Sequence, residues 1–168
     1  MRKASFAPVV DADTRILILG SLPGDASLAA AQYYAHPRNQ FWRLLGAVLA
    51  VPLADMPYPQ RLAAMQQHGV GLWDVVAEAS RRGSLDSAIR DARANPLAEL
   101  VASLPALRVV AFNGQTAGKA APQLAASGVP VLVLPSSSPA HTLAFDKKLR
   151  EWQVLGRYCD QANFWCLS

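Results

Sequence analysis

Four short apolar runs constrain this chain more than any other feature: residues 15–20, 69–76, 108–113 and 129–135. Each is only a few residues long and rich in Val, Ile, Leu or Phe, and three of the four end in Gly, Asn or Pro, the pattern of strands buried on both faces. Between them lie segments with helical periodicity. Residues 39–51 carry Phe41, Trp42, Leu44, Leu45 and Val48 on one stripe, and residues 59–67, 96–104 and 115–126 repeat the spacing more weakly. Stops follow each: Pro52, His68-Gly69, Pro105 and Gly128. A last helix is expected over 144–159. Strands alternating with helices pair in parallel, so the expected fold is α/β: a three-layer sandwich around a short central, mainly parallel four-stranded sheet, in a single domain spanning residues 1–168. In such sheets ligands sit beyond the carboxyl ends of the strands. The segments to inspect are therefore 20–39, 73–86, 113–116 and 135–142.

Composition narrows the classes. No apolar run approaches the ~20 residues that cross a bilayer, and the start of the chain lacks a sustained apolar stretch with a cleavage site, so a cytoplasmic protein is expected. The two cysteines, Cys159 and Cys166, lie seven positions apart. That spacing fits neither a CxxC metal site nor a disulfide framework, and two cysteines exclude a four-cysteine iron–sulfur cluster. No metal or cofactor is expected. Sixteen Lys and Arg against twelve Asp and Glu leave a net charge of +4, which suits a polyanionic partner without requiring one.

Three loops carry the chemistry. The first strand ends in Gly20-Ser21-Leu22-Pro23-Gly24, a turn that lets backbone amides approach a ligand closely. It matches neither a P-loop, for want of Lys-Ser or Lys-Thr, nor the GxGxxG dinucleotide fingerprint. Residues 32–42 form a dense polar and aromatic segment with Tyr33, Tyr34, His36, Pro37, Arg38, Asn39, Phe41 and Trp42. Its ordinary reading is that Asn39 caps the following helix, a contribution of about 1 kcal/mol, and that the aromatic rings fill the core. The last strand runs into Pro135-Ser136-Ser137-Ser138-Pro139-Ala140-His141, small hydroxyl residues held between prolines. Such a loop is either a plain turn or a surface that bonds phosphate oxygens at close range. A serine-hydrolase reading fails because no serine here sits in a GxSxG elbow.

Taken in this order, the three segments resemble the uracil-DNA glycosylase superfamily, above all its mismatch-specific uracil/thymine branch and the hypoxanthine-DNA glycosylases. Gly20 to Gly24 is similar to the superfamily's first motif and Pro135-Ser136 to its second. His36-Pro37-x-Asn39-x-Phe41-Trp42 is similar to the mismatch-specific signature, and 135–141 to the hypoxanthine branch. Two positions depart from the pattern. Leu22 stands where the mismatch-specific branch has a water-positioning Asn, and Leu134 stands where other branches have a His or Asn before Pro-Ser. In the hypoxanthine branch the catalytic burden falls on the Asn of His-Pro-x-Asn, which is Asn39 here.

The resemblance implies a monomeric, cofactor-free DNA-repair enzyme that acts at the bacterial nucleoid. Its substrate would be DNA containing a deaminated base, hypoxanthine by preference, flipped out of the stack before hydrolysis. It assigns Asn39 to hold the water and Tyr34 to stack on the base. The backbone of Ser21, Leu22, Pro23 and Gly24 and the side chain of Asn113 would read the base edge. His36, Arg38, Ser136, Ser137, Ser138 and His141 would hold the DNA, with His141 or Leu143 filling the vacated space. With no carboxylate in the first motif, a modest rate is expected, with little loss of activity around pH 4 to 5; Asp25 is the nearest acid in sequence. Asp74 and Asp86 are expected to brace the pocket wall through Arg81, Arg82 or Arg90. Two other readings stay open: a uracil-preferring enzyme of the same fold, and a catalytically silent module that binds damaged or single-stranded DNA.

Overall fold

A computed structural model describes residues 2–81, 84, 86 and 89–159. Arg82, Gly83, Leu85 and Cys166 lie outside the described residues. The four apolar runs form one parallel sheet in the order β3-β2-β6-β7, with β2 at Ile16–Gly20, β3 at Val70–Asp74, β6 at Val109–Asn113 and β7 at Val131–Leu134. Every residue of β2, β3 and β6 is buried. Alternation decides which layer each side chain joins. Ile16 and Ile18 of β2 enter one core cluster with Phe41, Leu44, Leu45 and Trp152, whereas Leu17 and Leu19 enter a second with Leu97, Val101 and Leu124.

Helices α2 (Phe41–Leu49), α3 (Tyr58–Gln67) and α6 (Phe145–Trp152) supply the first cluster, and α4 (Leu97–Ala102) and α5 (Gln115–Gly118) the second. The three-layer α/β expectation therefore holds, with the sheet order settled by the registers Ile16↔Val70, Ile16↔Val109 and Val110↔Val131. Among the described residues no helix is long and apolar enough to cross a membrane.

Four local readings change. The run 69–76 is not one strand: β3 ends at Asp74, the chain turns at Val75, and β4 (Val76–Ser80) leaves to join a separate antiparallel sheet, β1-β4-β5, with β1 at Arg2–Ala4 and β5 at Arg90–Ala94. Val75 N and Val76 N bond Gly20 O (2.7 Å) and Ser21 O (2.9 Å), which fixes that turn against the first loop. Helix α1 (Asp25–Ala30) follows Gly24, too short to show a periodicity. The helix expected over 115–126 is only α5 and then a 3-10 turn, Ala121–Ser127, in which Pro122 has no N–H to continue a helix. The final helix likewise tightens after Trp152 into a 3-10 segment, Gln153–Tyr158.

Candidate active site

The register brings four strand ends to one edge: Gly20 pairs with Asp74, and Asn113 with Leu134. A cleft of about 870 Å³ opens there, within the ~300–1,000 Å³ typical of small-ligand sites. All three loops singled out in the sequence line it. Ser21, Leu22, Pro23, Gly24, Tyr34, His36, Asn39, Asn113, Ser136, Ser137, Ser138, His141 and Leu143 stand on its wall, with Asp74 and Asp86; Arg38 is exposed outside that lining.

The floor is built where β2 and β3 end. A Cβ placed on Gly20 would meet Asp74 Oδ1 at 2.7 Å and Tyr34 Oη at 2.8 Å, so the missing side chain is what lets these two groups converge. Asp74 is 3% exposed, and among the described residues its Oδ2 has no hydrogen-bond partner; nor does the buried Tyr34 Oη. Burial first, and then the negative charge of Asp86, push the Asp74 carboxyl up to about 7, against a smaller downward pull from Arg81. Burial, with Asp74 next, drives the Tyr34 hydroxyl far above its ordinary range; Asn113 opposes this without reaching bonding geometry. Tyr34 sits in the left-handed region at φ 55°, uncommon for a residue with a Cβ. One face of its ring is stacked on Phe41, with centroids 4.0 Å apart and planes 11° from parallel, so only the opposite face is left for a second ring.

Asn39 was expected at the N-cap of α2, but Gln40 holds that position. Asn39 Oδ1 nonetheless accepts the Phe41 N–H at 2.9 Å, and Asn39 N donates to His36 O at 2.9 Å. These bonds fix the amide on the cleft wall with its NH2 group uncommitted to the cap.

The Ser/Pro loop of the rim is bonded into the protein through its hydroxyls, amides and carbonyls. Asn113 Nδ2 donates to Ser137 Oγ and Ser137 N donates to Asn113 Oδ1, both at 2.9 Å, so the two side chains expected to face ligand bind each other. Gln40 N bonds Ser137 O at 2.9 Å, tying the His-Pro segment to the Ser/Pro loop. Ser136 Oγ and Ser138 Oγ accept the amides of Ser138 and Ala140, and Trp152 Nε1 holds Pro135 O at 2.8 Å. Beneath the loop Lys148, 1% exposed, donates to Ser138 O at 3.3 Å, and burial lowers its pKa.

The bracing expectation splits. Asp86 does take Arg81 at 3.7 Å and accepts Ser21 Oγ at 2.6 Å. Arg81 is buried and also donates to the carbonyls of Leu22 and Pro23, so it holds the first loop in shape. Asp74 instead faces the cleft, and it is the residue sequence reasoning undervalued: an acid closing a wholly buried strand at the carboxyl edge was its signal. Lys148 gave no signal beyond its place in the last helix. Asp25 pairs with Lys3.

Fold and site together define a class: an α/β domain with a ligand cleft on the carboxyl edge of a parallel sheet, walled by a tight glycine turn and a loop of small hydroxyl residues. The chain belongs to the uracil DNA glycosylase superfamily, whose sequence profile it matches over residues 7–160. It is 42% identical over 158 residues to a hypoxanthine DNA glycosylase of Methanosarcina acetivorans, covering 94% of this chain and 100% of that one. A hypoxanthine DNA glycosylase of Methanosarcina barkeri is also 42% identical, covering 90% of this chain and 96% of its own. A solution NMR structure of a candidate uracil DNA glycosylase from Methanosarcina acetivorans superposes with a TM-score of 0.86 at 43% identity, covering 94% of this chain and 98% of that one.

Proposed function

We propose that this protein is a monofunctional DNA glycosylase that hydrolyses the N-glycosidic bond of a deaminated base, hypoxanthine first, and leaves an abasic site. The observation that carries the reading is the cleft itself: the first loop, the His-Pro-x-Asn segment and the Ser/Pro loop converge on one site at the carboxyl edge, in a chain 42% identical to two hypoxanthine DNA glycosylases. A glycosidic bond inside a duplex is shielded by its neighbours, so the base must leave the stack, at a cost of a few kcal/mol that is smallest for mismatched pairs. The rim loop then holds the strand through its serine hydroxyls, with His36, Arg38 and His141 adding to the grip. Leu143 or His141 fills the space the base vacates.

Inside the cleft the free face of Tyr34 stacks on the base, an arrangement that accepts a purine or a pyrimidine. Bond cleavage leaves an oxocarbenium-like sugar, which demands an oriented water and electrostatic support more than a strong base. Asn39 supplies the orientation, its carbonyl pinned by Phe41 N–H and its amide turned to the water. The protein acts as a monomer, without a cofactor, in the cytoplasm at the nucleoid.

The test is release of base from duplexes carrying a single deoxyinosine, deoxyuridine or deoxyxanthosine, scored as alkali-labile breaks. Wild type is expected to act most on deoxyinosine. Asn39→Ala should abolish release with DNA binding intact. Asn39→Asp keeps the acceptor for Phe41 N–H, so loss of release there too separates a catalytic amide from a helix cap. Binding without release from any of the three duplexes would sink the reading.

A further inference from the structure

Asp74 is the feature for which the reading above has no use. It ends β3 opposite Gly20 on the lining of the cleft, almost wholly buried, and its Oδ2 has no hydrogen-bond partner among the described residues. A buried carboxyl without a partner costs a few kcal/mol if ionised, and in a folded protein it instead takes up a proton. A protonated carboxyl is a donor, and among the described residues none bonds Asp74 Oδ2. Asp74 lines the cleft, so a ligand that fills the cleft is placed to supply the acceptor.

The chemistry of base release says what that acceptor is. As the bond from C1′ to the base breaks, its electron pair stays on the base, and negative charge grows on the ring. A carboxylate at the floor would repel that charge; a carboxylic acid would relieve it. We propose that Asp74 is a catalytic residue that acts in its protonated form, donating to a ring nitrogen of the departing purine, with Tyr34 Oη beside it on the cleft floor. The inference rests on the glycosylase reading. The balance is simple. The C1′–N9 bond breaks with its electron pair on N9, and the Asp74 proton passes to an unprotonated ring nitrogen, so the base leaves neutral. Water bonds to C1′ and loses a proton, which restores the Asp74 acid. Overall, DNA and water give abasic DNA and free hypoxanthine.

The surroundings favour the acid form near neutral pH. Asp86 opposes ionisation from the segment after β4, while Arg81 is turned to Asp86 and the carbonyls of Leu22 and Pro23. Tyr33 and Tyr34 face Asp74 from the loop before α2, and His36, His141 and Glu151 are the remaining titratable groups on the cleft wall among the described residues. An acid of this kind contributes about 10²- to 10⁴-fold.

The experiment is single-turnover release of base from a deoxyinosine duplex, with enzyme saturating, from pH 5.5 to 9, for wild type, Asp74→Asn and Asp74→Ala. The wild-type rate should be level at the acid end and fall about tenfold per pH unit above the Asp74 titration, near 7. Asp74→Asn still donates but does not titrate, so its profile should be level throughout at an intermediate rate. Asp74→Ala should lose about 10²-fold or more at pH 6. A wild-type rate that rises with pH would make Asp74 a base and overturn the proposal. A falling limb that persists in Asp74→Asn would overturn it too, since the titration would then belong to another group. Wild-type release at pH 6 keeps the glycosylase reading whichever way the profile runs, and no release from deoxyinosine, deoxyuridine or deoxyxanthosine at any pH removes both.

Discussion

The floor and the rim of the cleft are a few residues apart and follow opposite rules. On the rim, Asn113 and Ser137 satisfy each other in both directions, Ser137 O takes Gln40 N, and Lys148 and Trp152 hold the loop's carbonyls from below. On the floor, Asp74 Oδ2 and Tyr34 Oη are buried with no partner among the described residues. A fully connected polar network rigidifies; an unconnected one costs stability until a ligand completes it. The rim is thus a scaffold that is finished before DNA arrives, and the floor is a set of groups that only substrate finishes. The difference predicts opposite signs for substitutions in the two regions.

Asp74→Asn should give the largest effect, and it should stabilise. The Asp74 carboxyl titrates near 7 in the folded protein and near its ordinary 3.8 when unfolded. Between those values the unfolded chain ionises and the folded one does not, so wild type loses about 1.4 kcal/mol per pH unit as pH rises, and the loss levels off above 7. Asn does not titrate. Its advantage should be small at pH 4, grow through pH 5 to 7, and level off at roughly 3–4 kcal/mol by pH 8. Urea unfolding of both proteins at pH 4, 6 and 8 measures this directly. An advantage that stays constant with pH would mean that Asp74 is not held neutral by the fold.

Ser137→Ala should do the reverse on the rim. It removes the acceptor of Asn113 Nδ2 and leaves a buried amide donor unpaired, a loss of about 1–3 kcal/mol. Asn113 Oδ1 keeps its bond from the backbone N–H of residue 137, so the loop should stay in place. Denaturant unfolding at pH 8, where the charge at Asp74 is constant, gives the number. A gain in stability from Ser137→Ala would dissolve the contrast between the regions.

The sequence announced the scaffold far more clearly than the chemistry. Four buried parallel strands write themselves as four apolar runs, because both faces of each are covered, and the loops at their carboxyl ends follow from topology. Asn113 and Ser137 looked like ligand contacts because a polar residue at a strand end has no visible partner until the strand and loop are brought together. Asp74 was hidden for the opposite reason. Five arginine and aspartate side chains between residues 74 and 90 suggested an ion-paired wall, and only the fold separates Asp86, which meets Arg81, from Asp74, which meets the cleft. The small antiparallel sheet was illegible because β4 and β5 are built largely from Ala, Glu, Arg and Asp, poor strand formers that pair here by virtue of neighbouring chain.

Tyr34→Phe gives the smallest effect and the finest test of the contrast. The ring is held at φ 55° and stacked on Phe41, and Phe keeps both features. Only the hydroxyl is lost. At an ordinary buried site, Tyr→Phe strands the partner of the lost hydroxyl and destabilises the protein; among the described residues Tyr34 Oη has no partner to strand. The variant should therefore match wild type or exceed it by up to ~1 kcal/mol, since a buried unpaired hydroxyl is removed. Its cost should appear in function: single-turnover release from deoxyinosine DNA should fall by about 10-fold, the equivalent of a hydrogen bond of roughly 1.4 kcal/mol made only when the base is in place. A more stable but slower enzyme would assign the hydroxyl to substrate. Loss of stability with an unchanged rate would instead assign it to the scaffold, and would move Tyr34 from the floor's side of the comparison to the rim's.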